Sequence, residues 1–166
     1  PGAACNYQYT PYLAPSLSYL LPRQRDAVGL VSFDREIQRI LPARSVPTYL
    51  TQILQELENT TPANSTNISN TLHNIAERIK RRGLIILFSD LFDENPDELL
   101  QGLKHFRHRN HEVIVFHTLD PLEISFGFKS DAIFEDMETG DKISTQPAHV
   151  GGAYRKMMQD FLARIK

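Results

Sequence analysis

Three continuous apolar runs in this chain each end in side chains able to hold a cation or move a proton. Ala27 to Val31 is followed by Ser32 and Asp34, Leu84 to Phe88 by Ser89, Asp90 and Asp93, and Val113 to Phe116 by His117, Thr118, Asp120 and Glu123. Hydroxyl and carboxylate oxygens brought to one place suit a hard divalent cation such as Mg²⁺. The same residue types also serve ordinary turns at strand ends, where Asp and Ser satisfy their own backbone. Nucleotide chemistry fits less well, because neither a Gly-x-Gly-x-x-Gly loop nor a Gly-x-x-x-x-Gly-Lys-Ser/Thr loop occurs. A Ser89/His117/Asp120 triad can be drawn, but Ser89 lacks the flanking glycines that a strained nucleophile turn uses. His105, His108 and His111 are spaced by three and stand among Lys104, Arg107 and Arg109, neighbours that disfavour a divalent metal. They read as a solvated basic helix face, with a partner-docking patch as the second reading. Lys80-Arg81-Arg82 reads as the basic end of a helix rather than a nucleic-acid site.

Composition narrows the function classes. The 166 residues carry 18 Lys+Arg against 20 Asp+Glu, a net charge of −2, so no global field draws the chain to nucleic acid or an anionic membrane. A 41% hydrophobic content suits one globular domain over 1–166, and no apolar run approaches bilayer length. Cys5 is the only cysteine, which excludes an internal disulfide and a cysteine-ligated metal centre and points to a cytoplasmic setting.

The elements that must position these residues follow from periodicity. Tyr12 to Leu21 predicts a helix ending near Pro22. The run 27–31 predicts a strand buried on both faces, parallel and near the centre of a sheet, and Ile37–Ile40 an antiparallel edge strand. Val46, Leu50, Ile53, Leu54 and Leu57 mark one amphipathic helix and Ile68, Leu72, Ile75 and Ile79 another. The runs 84–88 and 113–116 predict two further buried strands. Between them, Asn95-Pro96-Asp97-Glu98 announces a helix with a cap, a first-position proline and a capping-box Glu. A hairpin from Asp131 to Thr145 turns at Thr139-Gly140-Asp141, and a final helix runs through Tyr154, Met158 and Phe161. Buried strands alternating with amphipathic helices predict an α/β fold with a doubly wound, mainly parallel sheet, helices on both faces, one antiparallel edge strand and a C-terminal hairpin.

Several of these segments taken in order resemble a known bacterial family. They are Asp26-Ala-Val-Gly-Leu-Val-Ser-Phe-Asp34, Leu41-Pro-Ala-Arg-Ser45, Ser65-Thr-Asn-Ile68, Arg81-Arg-Gly-Leu-Ile-Ile-Leu-Phe-Ser-Asp90, Leu119-Asp-Pro-Leu-Glu123 and Phe134-Glu-Asp-Met-Glu-Thr-Gly140. The family is that of von Willebrand factor A-like proteins carrying the domain-of-unknown-function label fifty-eight. The resemblance implies a Rossmann-like A domain, usually a non-enzymatic binding module that often accompanies a MoxR-type ATPase. It also implies a metal-ion-dependent adhesion site, with Thr66 and Asp90 in two of its positions and Mg²⁺ or Mn²⁺ as the ion. Thr66 equally fits a cap on the helix that begins near Ile68. The family's Asp-x-Ser-x-Ser element is absent from this sequence, so the resemblance implies a chain that starts after the central strand and has lost three of five metal ligands. No cofactor is then expected unless the site is completed from elsewhere.

Two function classes follow. The first is a non-enzymatic interaction module whose binding edge comprises Ser32, Asp34, Ser89 and Asp93, with Thr66 and Asp90 as a residual metal half-site and Lys104, Arg107 and Arg109 as a basic patch. Its partner is a protein, with a MoxR-type ATPase as the candidate, and a homodimer through strand exchange would fill the place of the lost strand. The alternative is a metal-assisted hydrolase in which Asp90, Asp93, Asp120 and Glu123 hold a cation and activate water. For Asp120 and Glu123, a purely structural turn ahead of Pro121 is the favoured reading.

Overall fold

Twelve elements follow one another in the computed structural model, which describes residues 5–34, 36–59, 68–93, 95–127, 132–135, 142–145 and 147–165. They are α1 (Cys5–Arg23), β1 (Val28–Phe33), β2 (Ile37–Arg44), α2 (Tyr49–Asn59), α3 (Ile68–Arg78), β3 (Leu84–Ser89), α4 (Pro96–His108), β4 (Glu112–His117), α5 (Pro121–Ser125), β5 (Ala132–Glu135), β6 (Lys142–Thr145) and α6 (Pro147–Ile165). The class is mixed α/β with small sheets. Two compact units divide the chain, Asn6–Thr118 and a second built mainly of Leu119–Lys166.

In the first unit the strands form two separate pairs. β1 and β2 run antiparallel, and β3 and β4 run parallel in unbroken register from Leu84↔Glu112 to Ser89↔His117. The expectation that the first apolar run lies parallel and central is therefore corrected: among the described residues β1 pairs only with β2. Burial on both faces is corrected too. Only Val28 in β1 and Leu87 in β3 are buried, and Leu84 and Ile114 stand nearly half exposed. A two-stranded sheet leaves one edge of each strand without a ladder partner, so its side chains are covered from fewer directions.

Local chemistry accounts for the first pair. The register slips between Val28 and Leu30, a β-bulge, and a Cβ at the intervening Gly29 would stand 2.6 Å from the Leu41 carbonyl oxygen and 2.8 Å from the Ala43 nitrogen. Only glycine lets two backbones come that close. Pro42 sits in β2, tolerated because an edge strand can omit one ladder donor. Val28 and Leu41 pack with Tyr49 and Ile53 of α2, and Leu21, Leu30 and Leu57 close the cluster. The Tyr49 hydroxyl donates to the Pro42 carbonyl at 2.7 Å, which pairs its one polar atom. α1 begins earlier than predicted and holds Pro11, Pro15 and Pro22 within its span, each removing one helical donor.

The second pair depends on α3 and α4. Ile68, Leu72, Ile75 and Ala76 of α3 and Leu99 and Phe106 of α4 are buried. At Gly102 a Cβ would lie 3.1 Å from Leu72 Cβ and 3.3 Å from the Ser69 carbonyl oxygen, so the helices touch almost backbone to backbone. Phe88 and Phe116, opposite each other in the ladder, stack with centroids 5.0 Å apart. Asn95 occupies the N-cap of α4 without a side-chain cap bond, contrary to the capping box expected there. Its backbone N–H is instead held by Asp93 Oδ1 at 2.8 Å.

The unit built on Leu119–Lys166 carries α5, the antiparallel β5–β6 hairpin and α6. The hairpin expected from the sequence is present as strands 132–135 and 142–145, and the turn at Thr139-Gly140-Asp141 lies outside the described residues. Phe126 packs on Tyr154 with ring centroids 4.6 Å apart.

Candidate functional site

Strands β1 and β3 both deliver their C-terminal ends to the first two turns of α3. From β1, the Asp34 carbonyl accepts a hydrogen bond from Thr71 Oγ1 at 3.4 Å. From the loop after β3, Asp93 Oδ2 accepts the backbone N–H of Ser69 at 3.2 Å and its hydroxyl at 2.9 Å. Ser69 and Thr71 are almost wholly buried polar residues. A carboxylate on the orphan N–H groups of a helix start is favoured by hydrogen bonding and by the helix dipole, so Asp93 caps α3 from a distant part of the chain.

The residues after β3 form a tight, side-chain-stapled turn. Ser89 Oγ accepts the Leu91 N–H at 3.0 Å, and Asp90 Oδ1 accepts the Phe92 N–H at 3.1 Å. Leu91 between them has φ 57, a left-handed conformation costly for a side chain with a Cβ, and its side chain is 1% exposed. Burial of that leucine holds the turn in place. From β4, His117 Nε2 lies 2.8 Å from the Asp90 carbonyl. A carbonyl can only accept, so Nε2 carries the hydrogen. Beyond β1, Asp34 Oδ1 accepts from the Glu36 N–H at 3.0 Å and from Gln38 Nε2 at 2.9 Å. Ser32 pairs with Arg39 in the β1–β2 ladder.

Ser32, Asp34, Ser89, Asp90 and Asp93 thus lie at the ends of the two strands that converge on α3, and one side-chain oxygen each of Asp34, Ser89, Asp90 and Asp93 accepts from the backbone of its own turn. Thr66 lies outside the described residues. Among the described residues, no three His, Cys, Asp or Glu side chains gather as a metal site. Asp93 holds the start of α3 and one Asp90 oxygen accepts in its own turn, while Mg²⁺ or Mn²⁺ takes about six oxygens. Asp120 and Glu123 form a capping box on α5. Asp120 Oδ1 accepts the Leu122 N–H at 2.7 Å, and Glu123 Oε2 accepts the Asp120 N–H at 2.9 Å. In the same unit burial, with the Glu123 charge second, pushes the Tyr154 hydroxyl above the usual tyrosine range.

The basic helix end also differs from expectation. Lys104, Arg107, His108 and Arg109 are exposed, but His111 is buried edge-on to Phe106 and His105 is half-buried against His73. His111 therefore belongs to the interior and His105 to the partly exposed seam between α3 and α4, and the solvated face is narrower than the charge pattern implied. Ser69, Thr71, His73 and Gly102 went unremarked in the sequence. The signal available was that Ser69 and His73 flank the apolar stripe of α3 where another helix must pass.

A mixed α/β chain with a parallel strand pair and its crossover helix, polar at the strand C-terminal ends, defines the class of protein. The chain belongs to the family described as Protein of unknown function DUF58, whose model matches residues 8–161. Among solved structures it is similar to an aerotolerance-related membrane protein from Bacteroides fragilis, 18% identical over 89% of this chain and 76% of that one, with a TM-score of 0.50. It is also similar to the conserved hypothetical protein BatB from Bacteroides thetaiotaomicron, 17% identical over 89% of this chain and 75% of that one, with a TM-score of 0.49. No curated protein matches. Among the described residues, no helix is long and apolar enough to cross a membrane.

Proposed function

We propose that this chain is a protein-interaction module of von Willebrand factor A type, without catalytic turnover, that receives a partner at the C-terminal ends of β1 and β3. One observation carries the reading: the two strand ends, from separate sheets, are held against the same two turns of α3 by Thr71 and Ser69. Turns fixed by buried anchors present Ser32, Asp34, Ser89 and Asp90 as a preformed edge, and a preformed edge binds without a large ordering cost. In an α/β sheet this is the end at which ligands are taken. The partner we name is a MoxR-type ATPase. Mg²⁺ or Mn²⁺ takes part only when Asp90 and Thr66 are joined by donors from beyond the described residues. The edges of β1 and β3 that carry no ladder among the described residues would pair with a strand exchanged from a second copy, giving a homodimer.

The test is calorimetric titration of the chain with a purified MoxR-type ATPase from the same genome, with and without Mg²⁺, beside Asp90→Ala and Arg107→Glu. Asp90→Ala should weaken binding about tenfold, the loss of roughly one charge-assisted contact, and Arg107→Glu should leave it unchanged. Equal affinity for wild type and Asp90→Ala, or phosphate-ester hydrolysis abolished by that substitution, would overturn the reading.

A further inference from the structure

Away from the strand ends, α3 and α4 bring together a pair of ligating atoms that the interaction reading does not use. His73 and His105 meet with Nδ1 atoms 3.0 Å apart, their ring centroids 5.1 Å apart and tilted by 45°. The approach is built into the helices. Gly102 lets α4 lie against Ser69 and Leu72 of α3, and His105 follows Gly102 by three residues as His73 follows Ser69 by four. Each histidine therefore sits one turn beyond the closest contact, on the face that makes it. Both rings are half-buried, so helix packing limits their rotation while leaving them open to solvent ions.

We propose that His73 and His105 form a two-imidazole site for a borderline first-row divalent cation, Zn²⁺, Cu²⁺ or Ni²⁺. Two nitrogens at roughly 2.0–2.1 Å from one ion stand about 2.9 Å apart when cis in a square-planar or octahedral shell, and about 3.3 Å apart in a tetrahedral one. The observed 3.0 Å lies between these values, so the nitrogen spacing already suits one shared ion, and loading turns both lone pairs off the N–N line toward a common point. Imidazole nitrogen selects these ions over the hard cations favoured by carboxylates. Among the described residues no third ligating side chain completes the group, so the remaining positions belong to water or to a donor brought by a partner. The site is of the open rather than the closed structural kind. Without metal, one Nδ1 donates its hydrogen to the other. On loading, that hydrogen leaves as the same ring gains one at Nε2, so two neutral rings bind the ion with no net proton release.

The test uses Zn²⁺ itself, added to the full chain and followed by calorimetry and by ¹⁵N resonances of the histidine rings. One ion per chain is expected, with the His73 and His105 rings both moving to the pattern of metal-bound Nδ1 and protonated Nε2. His73→Ala and His105→Ala should each weaken binding at least tenfold, while His108→Ala leaves it as in wild type. His73→Gln replaces the alanine variant if circular dichroism shows that the latter does not fold, and the ring resonances need no variant at all. Absence of saturable binding, binding indifferent to both substitutions, or ion-induced shifts confined to other histidines would reduce the pair to a hydrogen bond and overturn the proposal.

Discussion

The two strand pairs of the Asn6–Thr118 unit reach their partners by different routes. β1 and β2 are neighbours in sequence, joined by a turn in which Asp34 accepts from Glu36 and Gln38, and their register shifts across Gly29, where β2 carries the extra residue, and again between Ser32 and Phe33. β3 and β4 are joined through a crossover that contains the 13-residue α4, run parallel, and keep unbroken register. An antiparallel pair can be specified by turn chemistry and one close approach, whereas a parallel pair exists only if its crossover helix docks. The docking here is α4 on α3, with Gly102 at the contact and Asp93 tying the end of β3 to the start of α3.

The sharpest break in that contrast should come from Phe106, 1% exposed within α4. Phe106→Ala is expected to cost about 4 kcal/mol in urea unfolding and to open the β3–β4 amides to hydrogen exchange first. Gly29→Ala places a Cβ against backbone that cannot rotate away, so about 3 kcal/mol is expected, with exchange accelerated in β1–β2 and β3–β4 little changed. Equal acceleration in both pairs from either substitution would show one cooperative sheet and end the contrast. Asp93→Ala strips two hydrogen bonds from the start of α3 and should cost roughly 1–2 kcal/mol, read as a lowered midpoint in the same titration. Asp34→Ala removes the exposed, local bonds to Glu36 and Gln38 and should cost about 0.5 kcal/mol. A larger loss at Asp34 than at Asp93 would reverse the assignment of local and tertiary anchors.

Two tetrapeptides show how far local pattern reading reaches. Asn95-Pro-Asp-Glu98 and Asp120-Pro-Leu-Glu123 carry the same signature of cap, proline and acidic third position. The second forms a complete capping box, and the first forms no side-chain cap bond. The difference lies in Asp93, whose carboxylate takes the Asn95 N–H on one oxygen and Ser69 on the other. A competing acceptor from a neighbouring turn decides the outcome, and the tetrapeptide contains no information about it. The histidines repeat the lesson. Spacing grouped His105 with His108 and His111, while packing pairs His105 with His73 and buries His111.

Apart from the short α5, where the sequence offered only a turn, element type and order were legible in the residues themselves, because apolar periodicity, bounding turn residues and charge at helix ends are properties of neighbours along the chain. So was the polarity of the strand ends, with Asp34, Ser89, Asp90 and Asp93 placed by their position after apolar runs. Which strands pair, how far each is buried, and which carboxylate is already spent on a helix start came only from the tertiary structure. Those outcomes depend on close approaches such as Gly29 to Leu41 and Gly102 to Ser69. Such contacts join residues distant in sequence, and their energies have no counterpart in the local pattern.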